Sequence, residues 1–186
     1  MFVIEYDFNI KEEELSQLSL DEFEGEYGGI LYGQLLIQVN EQRFGSCDPD
    51  APDPIRDFFE APIIAWLGLL CEVVIMKQDH PYVALNSMDE VFLWFEFLDI
   101  DDDVLHVALL LVDREYTSNR YLVTEQINQI SQCLWKEEIK KQELIDEILL
   151  KTEKLVNYLE TVNPVIINSR SMQGLLKKYD IVKSVI

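Results

Sequence analysis

Side chains able to do acid–base or nucleophilic work are few and scattered. The chain of 186 residues has two histidines, His80 and His106, and three cysteines, Cys47, Cys71 and Cys133. His80 precedes Pro81 at the end of an apolar run, and His106 lies inside another. Both read as structural rather than as general bases. The cysteines are odd in number and widely spaced, which excludes a disulfide framework. No CxxC or Cys/His cluster offers a zinc site. Cys71 falls in an apolar helical run and reads as an inert buried thiol. Cys47 stands among acids, which disfavour its thiolate. Reduced thiols fit a cytoplasmic protein. There is no GxGxxG, no Walker loop and no GxSxG elbow. Gly25, Gly28, Gly29 and Gly33 cluster without a basic neighbour and read as turn geometry. The expectation is a protein that is not an enzyme and needs neither cofactor nor metal.

Carboxylates are the exception to this scarcity. Thirty-five acids face fifteen bases, for a net charge of -20. The excess is confined to one part of the chain. Residues 1–113 hold 25 acids and 4 bases, whereas residues 114–186 hold 10 acids and 11 bases. A chain this acidic repels phosphate backbones and anionic membrane surfaces, so neither nucleic acid nor membrane is an expected partner. Solubility needs only a few net charges, and crowding more of them works against compactness. A face built for a basic partner would account for the rest. Carboxylate pairs for glycosidase-type chemistry can be found anywhere among so many acids and carry no information.

Two acidic loops stand out. One holds Asp48, Asp50 and Asp53, stiffened by Pro49, Pro52 and Pro54, with Asp57 just beyond. The other holds Asp99, Asp101, Asp102 and Asp103. Three readings are open for the second: a calcium loop, a solvated hairpin tip, or a partner contact. The EF-hand pattern wants glycine at its sixth place and glutamate at its twelfth. Counted from Asp99, those places hold Val104 and Leu110. A rigid hairpin presents charge at little entropic cost. These eight aspartates are the candidate partner-binding residues.

The elements that must position them follow from periodicity. Phe2, Ile4, Tyr6 and Phe8 alternate with acids and predict a strand. Residues 11–26 suit a short helix or an ordered loop. Residues 30–44 read as a hairpin turning at Asn40-Glu41-Gln42. A helix is expected from Pro54 to Lys77, capped by Asp53 and kinked or divided at Pro62. Strands are expected at Tyr82–Leu85, Val91–Phe97, Val104–Val112 and Tyr121–Val123. Thr124–Thr161 reads as a second helical stretch capped by Thr124, with Glu137 and Lys141 four apart on it and a break possible near 140–142. Asn163-Pro164 stops it, and a last short helix is expected at Gln173–Val185. The longest apolar run, Ala61–Cys71, is too short to span a membrane, and the N-terminus does not read as a signal peptide. The fold class is α+β: a mainly antiparallel sheet of about four to six strands, the core helix on one face, and long C-terminal helices beside it. One domain over residues 1–186 is expected, with an acidic α/β portion over 1–123 and a helical portion over 124–186.

One segment adds a resemblance. Gly33-Gln34-Leu35-Leu36-Ile37-Gln38-Val39-Asn40-Glu41-Gln42-Arg43-Phe44-Gly45 resembles the G-x-L-x-I-x-[IV]-N-x-x-x-[FL]-G strand and turn of bacterial immunity proteins from polymorphic or contact-dependent toxin systems. In those proteins a helix with a Trp-Leu pair commonly follows, as Trp66-Leu67 with Leu69-Leu70 does here. The likeness covers residues 30–76. It implies a small cytoplasmic α+β protein that neutralises one cognate toxin, and it brings no catalytic residues. A basic, 1:1 toxin partner, such as a nuclease, would suit the acidic half through electrostatic steering. Two other classes fit the same sequence: a nucleic-acid mimic with carboxylates spaced like phosphates, and an adaptor that binds a partner through its C-terminal helix.

Overall fold

The computed structural model describes residues 1–44, 59–88, 92–113, 116, 118 and 120–185. Strand β1 (Phe2–Phe8) runs antiparallel to β2 (Tyr32–Val39), with Phe2 opposite Val39 and Phe8 opposite Gly33. Between them lie two short helices, α1 (Glu12–Leu15) and α2 (Leu20–Gly25). Gly33 is required by close approach: a Cβ there would sit 2.1 Å from the carbonyl oxygen of Asp7. Asn40 takes a left-handed φ of 54°, which asparagine tolerates, and the chain returns as β3 (Gln42–Phe44).

The expected helix from Pro54 is corrected over its first described residues. Phe59–Pro62 is a strand, β4, which pairs with the opening half of β2, Phe59 against Leu35 and Pro62 against Tyr32. Proline biases the residue before it toward extended backbone, so Pro62 ends the strand and α3 (Ile63–Met76) begins after it. The expected Asp53-Pro54 cap lies outside the described residues.

A second antiparallel sheet follows, so there are two sheets, of four and five strands, where one was expected. Its strands are β5 (Tyr82–Asn86), β6 (Leu93–Asp99), β7 (Val104–Val112), β8 (Leu122–Val123) and β9 (Ile130–Lys140), in the order β8-β5-β6-β7-β9. Strand β9 overturns the front half of the expected second helix. Residues four apart share a face in a strand as well as in a helix, so the spacing of Trp135 and Ile139 fits both. What decides is β7, whose far edge would otherwise leave backbone groups unpaired; β9 pairs with it from Val104–Lys140 to Val112–Ile130. Thr124 is therefore not a helix cap, and Glu137 and Lys141 are not a helical pair.

Helix α4 (Lys141–Val162) starts where β9 stops. Leu144, Ile148, Thr152, Leu155 and Leu159 form its buried stripe. Asn163 and a 3-10 turn at Pro164–Asn168 follow, and then α5 (Arg170–Ser184), which starts three residues earlier than expected because Ser169 Oγ caps it by accepting from the amide of Met172. The main core draws on both sheets and on α3, α4 and α5. An aromatic knot joins them: Phe44 meets Phe95 at 4.7 Å and Phe59 at 4.9 Å, and Phe59 meets Trp66 at 5.5 Å, all edge to face. Such pairs contribute about 1 kcal/mol each beyond burial.

Exposed sheet edges invite unwanted pairing. Helix α4 lies along β1, where the Ile4 amide donates to Glu147 Oε1 at 2.8 Å and the Tyr6 hydroxyl to the Lys151 carbonyl at 2.9 Å. The outer edge of β9 is blunted by two irregularities in its register, by Lys136 and Lys140, and by Asn40 Nδ2 donating to the Glu138 carbonyl at 3.1 Å.

Candidate functional site

The β6–β7 tip does not treat its four aspartates alike. Asp99 closes β6 and is half-buried. Its Oδ1 lies 2.8 Å from Lys77 Nζ and 3.1 Å from Lys141 Nζ. The Lys77 side chain is only 7% exposed, and its Nζ also donates to the Pro81 carbonyl at 2.6 Å. Burial pushes the pKa of Lys77 down, against the opposing pull of Asp99. Asp99 therefore ties the end of α3 to the start of α4 instead of facing a partner. Asp101 accepts the amides of Asp103 at 2.8 Å and Val104 at 2.9 Å through Oδ1, which builds the turn. The Lys141 amide donates to the Asp103 carbonyl at 2.8 Å and clamps the turn onto α4. Asp101, Asp102 and Asp103 are exposed on this braced tip. Asp48, Asp50, Asp53 and Asp57 lie outside the described residues, as does Cys47.

A second acidic surface was not singled out from sequence. Residues 12–26 carry seven acids and no base, and that density is the signal that could have found it. Glu12, Glu13, Glu14, Asp21 and Glu22 are exposed on α1 and α2, and Glu26 is exposed just past the end of α2. The segment is firmly seated. Leu15 and Phe23 are fully buried beneath it. Asn163 Nδ2 donates to the carbonyls of Leu15 at 2.7 Å and Leu18 at 2.8 Å. A reciprocal cap between Ser19 and Glu22 starts α2; the Ser19 hydrogen bonds hold the Glu22 carboxyl below its usual range. The Arg170 amide takes Glu24 Oε1 at 2.8 Å.

This surface continues into an open groove of about 770 Å³ between β1 and α4. Glu5, Asp7 and Glu12 line it together with Tyr6, Phe8 and Tyr158. Phe8 and Tyr158 stack at 5.3 Å. Lys151 and Lys154, on α4, also border it. Helix α4, with 22 residues and ~1.5 Å of rise per residue, separates the acidic tip at its start from α1–α2 at its end.

His106 Nε2 lies 2.9 Å from Glu138 Oε1 across β7 and β9. His80 is exposed beyond α3. Cys71 is buried, and burial pushes its thiol up to about 11; Cys133 is exposed on β9. Among the described residues, no three of His, Cys, Asp and Glu converge on a metal position, and no helix is long and apolar enough to cross a membrane. No protein-family model matches the chain, and no curated protein or solved structure does either.

Proposed function

We propose that the chain is a non-enzymatic binder that neutralises a basic protein, an immunity protein against a cognate toxin. The carrying observation is the groove beside β1, where carboxylates stand next to aromatic rings and run on into acidic, well-anchored α1–α2. An arginine entering it could stack on Tyr6, Phe8 or Tyr158 while pairing with Asp7 or Glu12. Arginine and aromatic side chains are the usual anchors of protein interfaces. Fixed acids arranged in this way also speed the encounter with a cation-rich surface. The β6–β7 tip adds a second, smaller site of attraction.

The nucleic-acid mimic draws less support. Lys140, Lys141, Lys151 and Lys154 lie on or beside α4 between the two acidic surfaces, and a row of phosphate-like charges would not be so interrupted. The adaptor reading has the same difficulty in another form: the apolar stripe of α4 is already in the core.

The test is a pull-down from the native organism's lysate at low salt, eluted with a salt step, followed by association kinetics with the purified partner. A single stoichiometric basic protein is expected, with association slowing as salt rises. Asp7→Asn with Glu12→Gln should slow it further. No partner above background, or association indifferent to salt and to these substitutions, would overturn the proposal.

A further inference from the structure

A cleft on another part of the molecule has the opposite chemistry. It holds about 380 Å³ between the first halves of α3 and α5, with the turn at Gly28 and Gly29 as a third wall. That volume falls within the ~300–1,000 Å³ range of small-molecule pockets. Its lining is mainly apolar, with Ile30, Ile64, Leu69 and Leu175 among the contributors.

Two glycines sit inside helices here, Gly68 on α3 and Gly174 on α5. A glycine in a helix interior is about 1 kcal/mol less stable than alanine. Neither packing nor backbone requires them. A Cβ on Gly174 would meet nothing within 4 Å, and one on Gly68 would meet only the tip of Lys178, at 3.9 Å. Neither has a positive φ. The glycines, with Ala65, keep the floor of the cleft open.

The rim of this cleft is cationic. Arg170, Gly174 and Lys178 follow at four-residue intervals along α5 and so share one face. Lys178 Nζ is held by Glu72 Oε2 at 2.6 Å. Arg170 lines the cleft and is without an ion-pair partner among the described residues, in a chain where acids outnumber bases more than two to one. Glu24 accepts the backbone amide of Arg170 at 2.8 Å.

We infer that this cleft binds a small amphiphilic carboxylate, its apolar body over Gly68 and Gly174 and its head on Arg170. The site is independent of the proposed protein partner, whose acidic groove lies between β1 and α4 and shares no lining residue with this cleft. Binding needs no covalent step.

The test titrates the intact chain with decanoate and, separately, with decanol, by calorimetry. Decanoate should bind saturably and about ten-fold tighter than decanol. Gly174→Leu fills the floor from α5 and should weaken decanoate about ten-fold or more. Ala65→Leu fills it from the exposed flank of α3 and should act in the same direction, which guards against a folding defect in either variant. Arg170→Gln should bring decanoate down to the affinity of decanol. Absence of saturable binding, or unchanged binding in both leucine variants, would overturn the site. Equal affinity for decanol and decanoate, or indifference to Arg170→Gln, would overturn the anionic head.

Discussion

The β6–β7 tip and the α1–α2 segment are both acidic loops by composition, yet they hold their acids for different purposes. At the tip, Asp99 faces inward to two lysines and Asp101 folds the turn, leaving Asp102 and Asp103 without such duties. On α1–α2 the structural work is shared with neutral groups. Asn163 and two buried apolar side chains anchor the segment, so most of its carboxylates remain turned to solvent. The number of acids in a loop is thus a poor measure of the charge it can offer. What matters is which other groups hold the backbone.

Breaking the tip should have the largest effect. Asp99→Ala leaves Lys77 charged and nearly buried, and should destabilise the protein by about 3 kcal/mol in urea unfolding. Joining it to Lys77→Met should recover much of that loss, because an apolar replacement of both partners removes the orphaned charge. If the double variant is no more stable than the single one, the pair is not what holds the tip.

Asn163→Leu is the matching change for α1–α2. It removes the Asn163 donor from both carbonyls, of which Leu15 keeps only the Leu18 amide at 3.3 Å, and should cost about 2 kcal/mol, with faster amide exchange confined at first to residues 12–26. Ser19→Ala should cost about 1 kcal/mol through the lost cap. The cap also has a pH signature. Glu22 has a folded pKa below its usual 4.5, so its contribution is complete above that value and is lost as pH falls through the depressed one. Helix α2 should fray there first, and Ser19→Ala should shrink the difference without abolishing it, because the backbone amide at position 19 still donates to Glu22 Oε2 at 2.8 Å; amide shifts in NMR follow both.

The smallest stability effect belongs to Asp102→Asn with Asp103→Asn, within about 0.5 kcal/mol of the parent. Its readout is association with the basic partner, which should slow less than it does for Asp7→Asn with Glu12→Gln. The reverse order would move the main docking surface from the groove to the tip.

Much of the chain is legible from local pattern. Alternation marks β1 and β2, because one side of each pleat meets the core, whereas a nearly continuous apolar run marks β7, which is buried on both faces. The stripe Leu144, Ile148, Leu155, Leu159 marks α4 for the corresponding reason at the helical period. Asn163-Pro164 and the Asn40 turn mark their boundaries by backbone chemistry alone. The charge split, too, is complete in the sequence.

Three things needed the tertiary structure. Strand β9 has a spacing that suits helix and strand equally, and the unpaired edge of β7 settled it. Phe59–Pro62 is a strand because β2 has a vacant half-edge beside it; nothing in four residues could say so. Asp99 is separated from Asp102 by three positions, yet one meets Lys77 and Lys141 while the other meets water. That difference arises because α3 and α4, distant in sequence, bring their lysines to the same point. Periodicity reports which side of an element is buried, whereas charge pairing and edge pairing depend on what arrives from elsewhere in the chain.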